Sequence, residues 1–275
     1  MKQRSVMARI CAAPHVVWAV LFIVAPLIFV AYYSFTNSEG DFTLSNITAL
    51  ASHAETFLLS VCFALIATVI CLIIGYPLAL AITKAPAKRQ PLILMLLMLP
   101  MWMNLLIRTY SLMAILDDGG FLNSLLTVFG IPELHIIGTP GAVIFGMVYD
   151  FLPYMVLPIY SVISKLDPKL TEAAYDLGCH RAEALFKVTV PMSISGIISG
   201  VTMVFVPSIS TFYISQKLGG GTIFLIGDTI ELQFQNPSTY NVGAAISLVM
   251  MILILISVAV MNHFSDDKDE GGIMP

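Results

Sequence analysis

Charge is what this chain has least of. Asp, Glu, Lys and Arg make up 11% of its 275 residues, whereas a soluble domain carries roughly 25%. The apolar residues, 58% of the total, are spread along the whole length, which leaves no room for a separate soluble domain. Cysteine is scarce too. Cys11, Cys62, Cys71 and Cys179 form no Cys-x-x-Cys pair and no zinc-like spacing, which removes a disulfide framework and a metal centre from consideration. Three of the four sit in or beside apolar runs, where the thiol behaves as a small hydrophobe. The glycine-rich phosphate loop that ends in Gly-Lys-Ser/Thr is also missing. Gly219-Gly220-Gly221-Thr222 has neither the lysine nor the preceding strand, so this chain brings no ATP site of its own.

What is present is a series of long apolar runs. Six of them, approximately 16–35, 57–82, 91–116, 140–163, 191–215 and 242–263, reach the roughly 20 residues a helix needs to cross a bilayer. The fold class expected is therefore an all-α integral membrane protein with six transmembrane helices, and 1–275 reads as one transmembrane domain. The first run follows Lys2, Arg4 and Arg9 as a signal peptide would. It is too long for a signal core and no small-residue cleavage site follows, so a retained first helix is expected.

The cations set the orientation. Lys2, Arg4, Arg9, Lys84, Lys88, Arg89, Lys165, Lys169, Arg181, Lys187 and Lys268 fall on one side of the six runs, and only Arg108 and Lys217 do not. Positive charge is retained on the cytoplasmic side. Both termini and the segments 83–90 and 164–190 are accordingly expected in the cytosol, and 36–56, 117–139 and 216–241 outside. The acidic tail Asp266-Asp267-Lys268-Asp269-Glu270 counts little in that rule.

One cytosolic segment is unlike a plain connection. Asp167-Pro168 is a helix start, because Asp accepts from free N–H groups and Pro at the first helical position loses nothing by lacking one. Gly178 is a stop, able to turn left-handed. Leu170, Ala173, Ala174 and Leu177 fall at helical spacing on one narrow apolar face, with Lys169, Glu172 and Asp176 beside it. Such a helix either lies on lipid or docks on a partner. Two alanines in four positions give lipid little to gain and let another backbone come close. Pro191 then opens the fifth run, so a push on the short helix reaches a membrane helix.

The spacing of this segment is specific. Glu172-Ala173-Ala174-Tyr175-Asp176-Leu177-Gly178 is followed, after nine residues, by Val188-Thr189-Val190-Pro191. It resembles the EAA loop of ABC importer permeases, with Val188 and Val190 where that family prefers Ile and Leu. The resemblance implies the type I permease fold, with a cytoplasmic coupling helix between helices 4 and 5 that seats on an ATPase. It casts Glu172, Ala173, Ala174 and Gly178 as the ATPase-coupling residues. Leu99 to Arg108, Leu152 to Tyr160, Lys165 to Pro168 and Gly243-Ala244-Ala245 extend the similarity to the spermidine/putrescine permeases. The implied setting is the bacterial inner membrane. The implied partners are a second permease subunit, an ATPase subunit dimer holding ATP and magnesium, and an extracytoplasmic polyamine-binding protein, with no cofactor in this chain.

A polyamine carries several ammonium charges, which need carboxylates, carbonyls or aromatic faces in place of water. Asp150, about ten residues into the fourth run, is the first candidate for the pathway, since an ionised Asp there costs roughly 2.5–3.5 kcal/mol and faces a cavity or a partner. Tyr149 beside it, and Trp102, Tyr110 and Tyr213, are aromatic candidates. The alternative for Asp150 is a structural pair with Arg108, expected about 10 Å deep in the third run by helix rise. Asp228 and Glu231 are expected in a solvated outer loop. Pro26, Pro77, Pro100, Pro153 and Pro207 interrupt five runs and suggest kinked helices.

Three rival readings are open at this level. Tyr149-Asp150 with Gly227-Asp228 faintly resembles the paired aspartates of intramembrane proteases, but Leu225 stands where that motif needs Gly and no Pro-Ala-Leu follows. Neither His-Glu-x-x-His nor Gly-x-Ser-x-Gly occurs. A self-sufficient secondary carrier would be expected to show internal repeats, and none is evident. Within the importer class, the cargo could instead be another solute such as ferric iron.

Overall fold

The computed structural model describes residues 13–37 and 39–269. Lys2, Arg4, Arg9, Cys11 and Glu270, used above, lie outside the described residues. Among the described residues the chain is helical without a strand, apart from one antiparallel bridge between Thr36 and Phe42. Helix α1 is Ala13–Ser34 and α2 is Ala54–Lys84. Helix α3 (Gln90–Met98) runs into a tight 3₁₀ turn at Leu99–Trp102, and α4 (Leu105–Leu116) and α5 (Phe121–Val128) follow. Then come α6 (Pro140–Ile163), α7 (Pro168–Asp176) and α8 (Arg181–Met192). The series ends with α9 (Ile194–Ser210), α10 (Tyr213–Leu218), α11 (Ile226–Gln235) and α12 (Tyr240–Asp269).

Four helices are long and apolar enough to cross a membrane unbroken: Ala13–Ser34, Ser45–Lys84, Pro140–Ile163 and Tyr240–Met261. The third and fifth expected runs are each a bent pair. Gln90–Trp102 and Leu105–Val128 meet at 93°, and Arg181–Met192 and Ile194–Ser210 at 69°. Residues 91–116 are thus not the continuous helix expected of them. The first break has a local cause: Met103 is extended (ψ 149°), and the Asn104 side chain turns back to accept from Leu106 N at 2.8 Å. That is an N-cap, so a new helix begins there. Thr139 before Pro140 and Asp167 before Pro168 start α6 and α7 in the same way, accepting from Ala142 N at 3.2 Å and Lys169 N at 3.0 Å.

The prolines are absorbed differently from one helix to the next. Pro77, Pro153, Pro158 and Pro207 sit inside helices that continue past them. Two π-helical segments, Val20–Val24 and Leu185–Thr189, each end two residues before a proline, Pro26 and Pro191. Proline lacks an N–H and its ring crowds the carbonyl a turn back. A wider turn at that point is one known way a helix adapts to an interruption.

The described residues divide into two compact units: those up to Ala54 with Thr229–Leu253, and Glu55–Asp228 with those from Ile254 onward. In the first, Asn46 donates to Ser34 O at 3.3 Å and Thr36 O at 2.8 Å. Tyr240 lies edge-on to Tyr33 and to Phe234, with ring centres 5.2 and 4.9 Å apart.

In the second unit α6 is the central post. Over half of its spanning window, 56%, is buried, and α9 packs along it. In lipid there is little hydrophobic gain from helix contact, so close packing through small residues takes over. Gly196 and Gly200, four apart on α9, serve that purpose. A Cβ on Gly200 would stand 2.8 Å from the Met155 sulfur and 3.0 Å from its carbonyl oxygen, and one on Gly196 3.0 Å from Pro158 O. Gly75 of α2 meets Met155 from another direction, so this fully buried side chain is gripped between two glycines. Tyr160 donates to Gln90 Oε1 at 2.8 Å, and the Gln90 amide donates to Thr83 O at 3.1 Å and Ala85 O at 2.9 Å. These bonds fasten α3, α6 and the end of α2 together.

Candidate functional site

Two groups of candidate residues lie toward opposite ends of α6. Beyond its C-terminal end is the short helix α7. Asp167 caps it, Pro168 is its first residue, and Gly178 just past it has φ +88°, all as the sequence predicts. Leu177 donates to Ala173 O at 3.1 Å, and Cys179 N reaches back to Ala174 O at 3.0 Å, which closes the helix end.

Only Ala174 of the apolar face is buried. Leu170 is 41% and Leu177 86% exposed, and Glu172 and Ala173 are exposed as well. The apolar edge of α7 is thus uncovered by the rest of this chain. Behind α7 there is a cavity of about 790 Å³. Thr83 and Lys84 of α2, Asp167, Tyr175, Arg181 and Leu185 contribute to its walls. The helix therefore stands partly over open space while also touching α8.

The second group is built by α4 and α10, both of which pack on the N-terminal half of α6. The close approach depends on Gly146, where a Cβ would collide with Leu218 and Ile214 of α10. Arg108 sits in the first turn of α4, directly after the break. The depth expected by counting along an unbroken third helix therefore does not apply. Its Nη1 lies 3.0 Å from Asp150 Oδ1, with the side chains 9% and 2% exposed. Of the two alternatives for Asp150, this conformation forms the pair. The contact is ionic without hydrogen-bond alignment: Arg108 Nε and Nη1 and Asp150 Oδ1 have no aligned partner.

Among the aromatic candidates, Tyr110 and Tyr213 come together. Their rings meet edge to face at 78° with centres 6.0 Å apart. Lys217, expected in the outer segment 216–241, places Nζ 5.2 Å from the Tyr110 ring centre and 5.7 Å from that of Tyr213. Its position four residues after Tyr213 on α10 is the signal that could have found it, since i and i+4 share a helix face. Tyr149 is 40% exposed, and Trp102, at the break before α4, is 72% exposed.

Asp228 corrects an expectation. It is fully buried in the first turn of α11, where Oδ2 accepts from Leu225 N at 2.7 Å. Its neighbour Ile226 donates to Ser60 Oγ of α2 at 2.8 Å. A carboxylate at a helix start is held by the free N–H groups there, so it has left the solvent in which a loop was expected to keep it.

The broken third and fifth apolar runs and the capped helix that follows α6 in the chain are the features to set beside known proteins. Residues 72–268 match the family described as binding-protein-dependent transport system inner membrane component, and the chain belongs to that family. It is 41% identical over 246 residues to the spermidine/putrescine transport system permease protein PotB of Escherichia coli (strain K12), covering 86% of this chain and 90% of that one. Against PotB of Haemophilus influenzae it is 37% identical over 253 residues, covering 88% of each. The fold is similar to that of a bacterial ABC transporter involved in import of the acidic polysaccharide alginate. That likeness has a TM-score of 0.74, 17% identity and 97% coverage of both chains.

Proposed function

We propose that the chain is the permease subunit of an ATP-driven polyamine importer, passing spermidine or putrescine across the inner membrane. One observation carries the mechanism: α7, capped by Asp167 and stopped by Gly178, leaves Leu170, Glu172, Ala173 and Leu177 uncovered above a cavity. The lysine and arginine distribution along the sequence supports a cytosolic α7 and cytosolic termini, where a nucleotide-driven subunit could reach the helix. Glu172, Ala173, Ala174 and Gly178 are its ATPase-coupling residues. A push on α7 passes through α8, whose contacts with α7 are direct, and across the bend at Met192 into α9.

The chain supplies no chemistry. Hydrolysis belongs to an ATPase dimer that holds ATP and magnesium. A second permease subunit completes the pathway, and an extracytoplasmic polyamine-binding protein delivers the cargo. The cargo assignment follows the relatives named above, which are similar over most of the chain. Tyr149, Asp150, Trp102, Tyr110 and Tyr213 are the pathway residues, with Asp150 held by Arg108 in the conformation described. Reconstitution of the full complex tests this: spermidine or putrescine, presented by the binding protein, should stimulate ATP hydrolysis and accumulate in the vesicles. Stimulation by another solute, with neither polyamine effective, overturns the cargo. Uptake by this subunit alone, without the ATPase, overturns the mechanism.

A further inference from the structure

Most of the chain's Lys and Arg residues fall, by their spacing in the sequence, in the segments expected in the cytosol, and Arg108 is paired with Asp150 at 3.0 Å. Lys217 is the exception. On the side where a polycation would arrive, it carries a positive charge and directs it at two aromatic rings. Tyr213 and Lys217 share a face of α10, and Tyr110 reaches that face from α4. Nζ stands 5.2 and 5.7 Å from the two ring centres, within the distance at which a ring face attracts a cation. Tyr110 is 47% exposed, so the rest of this chain leaves part of its ring uncovered.

We infer that the Tyr110–Tyr213 pair is a binding site for a primary alkylammonium, occupied in this conformation by the chain's own Lys217, which an incoming substrate ammonium displaces. The inference rests on the polyamine reading. A lysine side chain is a four-carbon stem ending in an ammonium, the same group as one end of an aminobutyl substrate. The site thus holds a tethered copy of part of its ligand. Lys217 competes for the rings when no substrate is there. Once displaced, it adds positive charge beside the bound ammonium and favours its onward release. The ligand class is an unbranched chain with at least one free primary ammonium; acylation of both ends removes the recognised group.

The test uses the assembled importer, purified without its binding protein, and radiolabelled putrescine. Lys217→Met and Lys217→Gln, read in parallel, should each bind about five-fold tighter than the wild type, the equivalent of one modest cation–π contact freed from competition. Lys217→Arg, which keeps a cation over the rings, should gain less. The gain should vanish when Tyr110→Leu is added to Lys217→Met and persist when Tyr110→Phe is added, because only Phe keeps a ring face. Diacetylputrescine should not compete. Wild-type affinity in both neutral variants overturns the inference, as does a gain that survives Tyr110→Leu. Polyamine uptake by the complete system is measured alongside. Its absence sinks the polyamine reading, whereas its presence with unchanged binding in the Lys217 variants sinks this inference alone.

Discussion

Arg108 Nη1 lies 3.0 Å from Asp150 Oδ1, yet neither atom is aligned for a hydrogen bond and Arg108 Nε has no acceptor. Charge more than directed bonding holds the two side chains together. Removing one member of a buried pair leaves the other uncompensated, at roughly 3–5 kcal/mol. Asp150→Asn and Arg108→Met should each lower the unfolding temperature of the purified importer, and the double variant should recover most of the loss. A double-mutant cycle on thermal unfolding provides the check. Wild-type stability in both single variants would mean the pair contributes nothing to holding α4 on α6.

The coupling helix makes a separate prediction. Gly178 has φ +88°, a conformation that costs a residue with a Cβ roughly 1–2 kcal/mol, although no atom stands within 4 Å of where that Cβ would go. Strain without a clash should loosen the end of α7 and leave the membrane helices folded. Gly178→Val should therefore reduce the ATPase that copurifies with the complex, or hydrolyse ATP without matching uptake. Glu172→Lys, on the exposed face, should do the same by reversing a charge. Normal coupling ratios in both variants, measured as substrate moved per ATP hydrolysed, would remove α7 from the transmission path.

Local chemistry made part of this molecule legible in its sequence. The apolar runs show themselves because crossing a bilayer demands length and hydropathy together. Asp167-Pro168 and Gly178 mark α7 because capping and left-handed turns depend on a few adjacent residues. The breaks were harder to see. Residues on both sides of Met103 are equally apolar, and Asn104 is the one local cue to a new helix. The burial of Asp228 has no local cue, because it depends on how α11 packs, with Ser60, well over a hundred residues away in the chain, bonded to its neighbour Ile226. The Tyr110–Tyr213 contact and the Arg108–Asp150 pair likewise join separate helices, and sequence spacing offers only candidates for such partners.

Gly196 and Gly200 illustrate the same divide. Their four-residue spacing can be read in the sequence, but the identity of what they admit, Met155 and Pro158, cannot. Gly200→Val would press against both the sulfur and the carbonyl oxygen of Met155, and the backbone oxygen has no rotamer by which to retreat. Overpacking of this kind costs roughly 1–3 kcal/mol. The folded yield of Gly200→Val in membranes should fall, and adding Met155→Ala should restore it only in part, since the carbonyl contact remains. Full recovery in the double variant would place the whole clash in the side chain.

Asn123 offers a test of the connection between α5 and α6. It is 1% exposed, and it bonds at both of its side-chain atoms: Nδ2 donates to Asp117 O at 3.2 Å and Leu134 O at 3.0 Å, while Oδ1 accepts from Leu134 N at 2.9 Å. The segment from Gly130 to Ile136 has no helix of its own, so this amide stands in for the backbone ladder that a regular element would provide. Asn123→Leu keeps the branched shape at a somewhat larger volume and removes all three bonds, each buried group left unmatched costing roughly 1–3 kcal/mol unless water reaches it. Water would reach it only if the segment lifts. Hydrogen exchange at Leu134 N–H should therefore accelerate strongly in Asn123→Leu, with exchange in α6 unchanged. Asn123→Asp should fall between the two, because its carboxylate still accepts from Leu134 but can no longer donate. If Leu134 stays as protected in Asn123→Leu as in the wild type, the segment is held by its apolar contacts and the asparagine is dispensable.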